Sequence, residues 1–102
     1  MYKIEYLPEV RDDMDALDGS QRKAVQMALE KLRRQPGEYG KPLGNKHGLN
    51  LTGLRRLKLN ALGIRVVYLT LPQRETALVL AVGKREDDKI YREALRRYRN
   101  LE

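Results

Sequence analysis

Cysteine is absent from the 102 residues, so disulfides, thiolate zinc sites and a cysteine nucleophile are all excluded. His47 is the only histidine, which rules out a histidine cluster around a metal and a histidine pair for acid–base work. Any catalysis has to come from other groups. Long apolar runs are also missing. The most apolar stretch, around "LVLAV", falls far short of the roughly 20 residues that span a bilayer, so no transmembrane segment is expected. The N-terminus "MYKIEYLPEV", followed by Arg11, places Glu5 and Glu9 where a secretory signal needs an uninterrupted apolar core. A cytoplasmic protein is expected.

What is present points to one domain, residues 1–102, with a single core and function carried by its surface or a shallow cleft. At 41% hydrophobic and 34% charged residues, the chain is too apolar for disorder and too charged for a membrane protein. The net charge of +7 is unevenly placed. Residues 1–51 hold nine Lys/Arg against eight Asp/Glu, and residues 52–102 hold twelve against six. A basic second half favours a polyanionic partner, nucleic acid first, because cations that neutralise phosphates gain affinity by releasing counterions.

"YKIEYL" (2–7) alternates as a strand does, with Tyr2, Ile4 and Tyr6 on one face. Pro8 breaks it and suits the first turn of a short helix, in which Val10, Met14 and Leu17 share a side. "DGS" ends that helix, and Asp18 or Ser20 caps a second one bearing Val25, Ala28, Leu29 and Leu32 as its apolar stripe. Lys31, Arg33 and Arg34 close its last turn, where the helix dipole favours cations, and Pro36-Gly37 stops it. Residues 36–53 carry five of the eight glycines and two of the four prolines and read as a loop. Three strand-like runs follow, 54–59, 64–71 and 76–82, joined by "NALG" and "PQRE", which are short enough for antiparallel hairpins. A final helix carries Tyr91, Leu95 and Tyr98 at helical spacing, with Glu86, Asp87 and Asp88 at its start. The expected order is β-α-α-β-β-β-α. It implies an α+β fold in which the two-helix hairpin covers one face of an antiparallel sheet and the other face stays partly open.

Alternation along "LRRLKL" sets Leu57 and Leu59 against Arg56 and Lys58. With the leucines under the helices, Arg56 and Lys58 lie on the open face, and Arg65 begins the neighbouring strand. Arg85 and Tyr91 follow the last strand in "VGKREDDKIY". One sheet face and its edge can gather all five. Arginines hold a phosphate in bidentate fashion and stabilise charge that grows on it. A lysine crowded by cations has a lowered pKa and becomes a base, here Lys58. Tyr91 can stack on a base, orient a hydroxyl or share in proton transfer. Such a set suits attack by an RNA 2′-hydroxyl on the adjacent phosphate, which DNA cannot undergo. Plainer readings stand beside these: Arg56 and Lys58 as outer-face polar residues, Arg65 paired with a nearby acid, Tyr91 as core. His47 reads as a loop residue, and Arg92, Arg96, Arg97 and Arg99 as a solvated helical face or extra phosphate contacts.

The whole pattern resembles the RelE family, within the RelE/ParE superfamily of bacterial toxin–antitoxin toxins. Length, basic charge and element order all match, and the segments "RRLKL", "GIRVVY" and "VGKRE" followed by Tyr91 carry the likeness most specifically. The resemblance implies a toxin that needs no metal or small-molecule cofactor and cleaves messenger RNA in the ribosomal A site with a basic cluster and a C-terminal tyrosine. It places Lys58, Arg65, Arg85 and Tyr91 in that cluster. Arg56 stands where many relatives have lysine, which keeps the charge but removes a ready proton acceptor. The resemblance further implies a RelB-like antitoxin that wraps the toxin and covers or displaces its last helix, and the exposed basic face suits an acidic, partly disordered segment. Two alternatives remain at this point: a ParE-like toxin that binds DNA gyrase, and an inactive RNA-binding relative.

Overall fold

The computed structural model describes residues 1–35, 37, 39–86 and 88–101. Its elements are β1 (Lys3–Tyr6), α1 (Val10–Asp15), α2 (Gly19–Arg34), β2 (Lys41–Lys46), β3 (Leu49–Leu59), β4 (Ile64–Leu71), β5 (Thr76–Lys84) and α3 (Lys89–Arg99). Single 3-10 turns, Asn60–Leu62 and Pro72–Arg74, join β3 to β4 and β4 to β5. The strands form one α+β sheet in the order β1-β5-β4-β3-β2. It is antiparallel from β5 to β2, as expected, with one parallel pair where Lys3 to Tyr6 run beside Thr76 to Val79. Two helices and three strands separate β1 from β5, and a connection of that length permits the parallel pairing that a hairpin forbids.

Local chemistry accounts for the helical hairpin. Asp18, rather than Ser20, caps α2: its carboxylate accepts the Gln21 N–H at 2.8 Å while the Gln21 side chain accepts the Asp18 N–H at 2.9 Å. This reciprocal box satisfies two donors that the first turn leaves free. Val25, Ala28, Leu29 and Leu32 are buried along one stripe, and α2 packs against β1 and β3. The helix ends at Arg34; the expected stop at Pro36 and the acidic Asp87 before the last helix lie outside the described residues.

Residues 41–53, read from the sequence as loop, add a strand to the expected order. They form β2 and the start of β3, joined by a two-residue turn in which His47 and Gly48 both take positive φ, 54° and 73°. Tight hairpins require that backbone twist. Leu43 and Leu51 anchor the hairpin in the core, but the register shifts between Pro42 and Gly44. Gly44 and Gly53, with φ of 61° and 91°, supply the conformations of this irregularity, which side chains with a Cβ rarely adopt.

Both faces of the sheet are covered at β4, where Ile64 to Tyr68 are all buried. Helix α3 lies on the face that carries Arg56, Lys58 and Arg65. Arg65 is paired with Gly83, and a Cβ on Gly83 would come within 3.1 Å of Ile90 on α3, so the missing side chain lets the helix approach. A buried ion pair fixes it there. Arg97 of α3 grips the Asp13 carboxylate of α1 with two bonds, 2.7 and 3.0 Å, and donates a third to the Leu80 carbonyl at 2.8 Å. The Asp13 carboxylate also accepts the Val82 N–H at 3.0 Å, and Glu93 takes the Arg97 Nε–H at 2.9 Å. Arg97 is therefore a core residue at 8% exposure, not part of the solvated arginine face expected from the run around it. No helix among the described residues is long and apolar enough to cross a membrane.

Removing the carboxylate strands a buried guanidinium, so Asp13→Ala is expected to destabilise the fold by about 3 kcal/mol. Asp13→Ala combined with Arg97→Met should cost less than Asp13→Ala alone. Urea denaturation midpoints measure both; an equal or larger loss in the double variant would show that the pair is not what Asp13 contributes.

Candidate active site: a cationic cleft under the last helix

Cross-strand register assembles the site. Lys58 on β3 stands directly opposite Arg65 on β4, and Arg56 stands opposite Val67. Residues paired in this way share a sheet face, so the two arginines and the lysine point to the side that α3 covers. Arg85 follows the end of β5 and is held beside the start of β4 by its N–H, which donates to the Gly63 carbonyl at 2.6 Å. Tyr91 arrives from the first turn of α3. All five side chains expected from the sequence line one cleft of about 360 Å³, together with Lys46 and His47. The run "VGKREDDKIY" thus delivers Arg85 from a strand end and Tyr91 from a helix start into the same space.

The members differ in their surroundings. Arg65 is 5% exposed and donates Nη1 to the Ile64 carbonyl at 3.1 Å. Arg56 is half-buried, and its Nε has no hydrogen-bond partner among the described residues. Lys58 and Arg85 are exposed. Among the described residues, no carboxylate lies within ion-pair distance of these cations or of Lys46; the pairing once considered for Arg65 is not seen there. The uncompensated charge acts on the lysine. Arg56 above all, then loss of hydration, then Arg65, Lys46 and Arg85, hold the Lys58 ammonium below the ordinary lysine range. Tyr91 is core by exposure, at 4%, and site by position.

Lys46 and His47 are the residues that sequence reasoning missed. They sit at the tip of the β2–β3 hairpin, whose glycine-rich sequence reads as loop. The irregularity at Gly44 and Gly53 lets the tip arch over the sheet, and the His47 ring stacks on Tyr91 with centroids 5.6 Å apart and planes 20° apart. Two-residue turns favour Asn, Asp or Gly where φ is positive, and a histidine in that position was the available signal.

The five-stranded sheet with three helices matches the RelE-like fold, and solved structures share it. The isolated RelE toxin of E. coli is 23% identical with a TM-score of 0.69, the match covering 96% of this chain and 99% of that one. The toxin–antitoxin complex RelBE2 of Mycobacterium tuberculosis gives 26% identity and a TM-score of 0.70 over 82% of this chain and 98% of that one. The archaeal RelE–RelB complex of Pyrococcus horikoshii OT3 gives 16% and 0.64 over 82% and 94%. Residues 12–101 match the family described as Phage derived protein Gp49-like (DUF891), and the chain belongs to that family, which is RelE-like. Membership is thus in a RelE-like phage-derived family, a refinement of the RelE resemblance read from the motifs. No curated protein matches the chain.

The charge geometry has a measurable sign. Because the folded state disfavours the Lys58 ammonium, the cost is fully present below the lowered pKa. Stability therefore rises as pH climbs from that value to the ordinary lysine range, where the unfolded chain holds the extra proton. Arg56→Gln should move the Lys58 midpoint upward and flatten this rise. Side-chain NMR titration of Lys58 reads the midpoint directly; no upward movement would show that Arg56 is not the main cause.

Proposed function

We propose that this protein is the toxin of a type II toxin–antitoxin pair and a ribosome-dependent endoribonuclease that cuts translated messenger RNA in the A site. The observation that carries the reading is the convergence of Arg56, Lys58, Arg65, Arg85 and Tyr91 on one cleft. The RelE-like fold supports it, and so do the RelE–RelB complexes among the structures that share that fold.

In this reading the chemistry uses side-chain cations and needs no metal. Lys58, whose ammonium is already disfavoured, takes the proton of the 2′-hydroxyl. The 2′-oxygen then attacks the adjacent phosphorus, and the bond to the 5′-oxygen breaks, leaving a 2′,3′-cyclic phosphate and a 5′-hydroxyl end. Arg65 and Arg85 hold the non-bridging oxygens and stabilise the charge that builds on the five-coordinate phosphorus. Arg56 depresses Lys58 and adds positive potential, while Tyr91 orients the nucleotide. The ribosome would hold the RNA so that oxygen, phosphorus and leaving group stand in line, which explains how a small open cleft suffices. The partners are therefore the ribosome, messenger RNA and a RelB-like antitoxin, in a cytoplasmic setting.

Induction of the intact chain is expected to produce new messenger RNA 5′ ends within translated codons in minutes, mapped by primer extension, and to lose them when translation is blocked. Arg85→Ala should lower cutting by about a hundredfold or more, as removal of a transition-state donor does, while antitoxin binding stays nearly unchanged. Growth arrest with DNA-damage signalling and no cuts would replace this reading with gyrase inhibition.

A further inference from the structure

The leaving 5′-oxygen still needs a proton donor; from the sequence Tyr91 could share in proton transfer, and His47 read as loop. The fold changes that. His47 rides on the β2–β3 hairpin tip that arches over the cleft, exposed, while Tyr91 behind it is almost fully buried. The Tyr91 ring has the imidazole stacked against it, and of the two His47 is the one open to solvent. Lys46, the neighbouring residue at the tip, lies close enough to Lys58 for its charge to act there. Hairpin tip and strand floor therefore form two walls of one cleft.

We propose that His47 is a catalytic residue of this cleft, the general acid that protonates the leaving 5′-oxygen. The inference rests on the phosphodiester-cleavage reading given above. An in-line displacement places the attacking 2′-oxygen and the departing 5′-oxygen on opposite sides of phosphorus, and Lys58 on the floor and His47 on the tip can serve the two sides. The proton balance closes within the pair. Lys58 gains the 2′-hydroxyl proton as the new P–O bond forms, and the imidazolium of His47 gives its proton to the 5′-oxygen as the old bond breaks. Other cleft members suit the task less. Arginine does not readily deprotonate, and Tyr91, 4% exposed and stacked by the imidazole, orients the nucleotide through the His47 ring it supports. Imidazole is the side chain suited to proton exchange near neutral pH.

The test uses His47→Asn, which suits the left-handed backbone and preserves the turn, on ribosomes programmed with two messages. One is ordinary RNA; the other carries a single 5′-bridging phosphorothiolate at the cut, whose sulfur departs without a proton. His47→Asn is expected to cut ordinary RNA about a hundredfold more slowly, the scale of general-acid loss, and to cut the thiolate message within a few-fold of the intact protein. Arg85→Ala should stay slow on both. Equal slowing of His47→Asn on the two messages, with an unchanged melting temperature, would assign His47 to binding and overturn the proposal. Undiminished cutting of ordinary RNA by His47→Asn would also overturn it. Absence of any cutting by the intact protein would instead remove the nuclease reading, and this proposal with it.

Discussion

The wall of the cleft that α3 supplies depends on the Asp13–Arg97 ion pair staying closed. It ties α1, the backbone of β5 and α3 together at a point shielded from water, with the carboxylate shared between a guanidinium and the Val82 N–H. A pair of this kind is not a large net source of stability, but opening it leaves the buried Arg97 guanidinium with Glu93 as its one carboxylate among the described residues. Its effect is therefore positional. It sets where α3 lies on the sheet, α3 sets Tyr91, and the Tyr91 ring sets the imidazole that stacks on it. Glu93 reinforces the arrangement: hydrogen bonds from Arg96 and Arg97 drive its carboxyl down to about 2, so it remains charged beside Arg97 throughout the working pH range.

The same sheet carries a region built against its own stability. Lys58 opposite Arg65 places like charges in a directly paired position, which sheets normally avoid, and the Arg56 Nε is buried without a described partner. Local rules of this sort are broken where a site needs them broken. The offset comes from the surrounding apolar frame of Leu54, Leu57, Ile64, Val66 and Leu80. Under the proposed activity, the phosphate of bound RNA would relieve the repulsion that folding leaves behind.

Much of this was legible in the sequence where side-chain pattern reports burial. The runs 54–59, 64–71 and 76–82 are strands because β-branched and leucine residues alternate or cluster there, and the alternation alone placed Arg56 and Lys58 on the face away from Leu57. The hairpin at 41–53 was not legible. Its bends are made by glycine backbones, and glycine density looks the same in a hairpin and in a loop. Arg97 was hidden for a different reason. It sits among solvated arginines, and the residue that makes it a core group lies 84 positions away. His47 was misread with its hairpin, since its neighbour in space, Tyr91, comes from the far end of the chain. Tyr91 is packed, as the plainer reading had it, and lines the cleft as well.

The parallel pairing of β1 with β5 has a consequence for timing. Residues 3–6 wait for residues 76–79 before they gain a partner, and contacts between such distant segments form late because long loops must close first. The last pieces of the cleft, Arg85 and Tyr91, and the clamp at Arg97 emerge later still during synthesis. Until residue 97 has been made, the nascent chain has neither its covering helix nor the assembled cleft. Under the proposed activity, a chain still short of these residues cannot attack the RNA from which it is being read. The order of residues along the chain then acts as a delay, written into the topology and independent of any inhibitor.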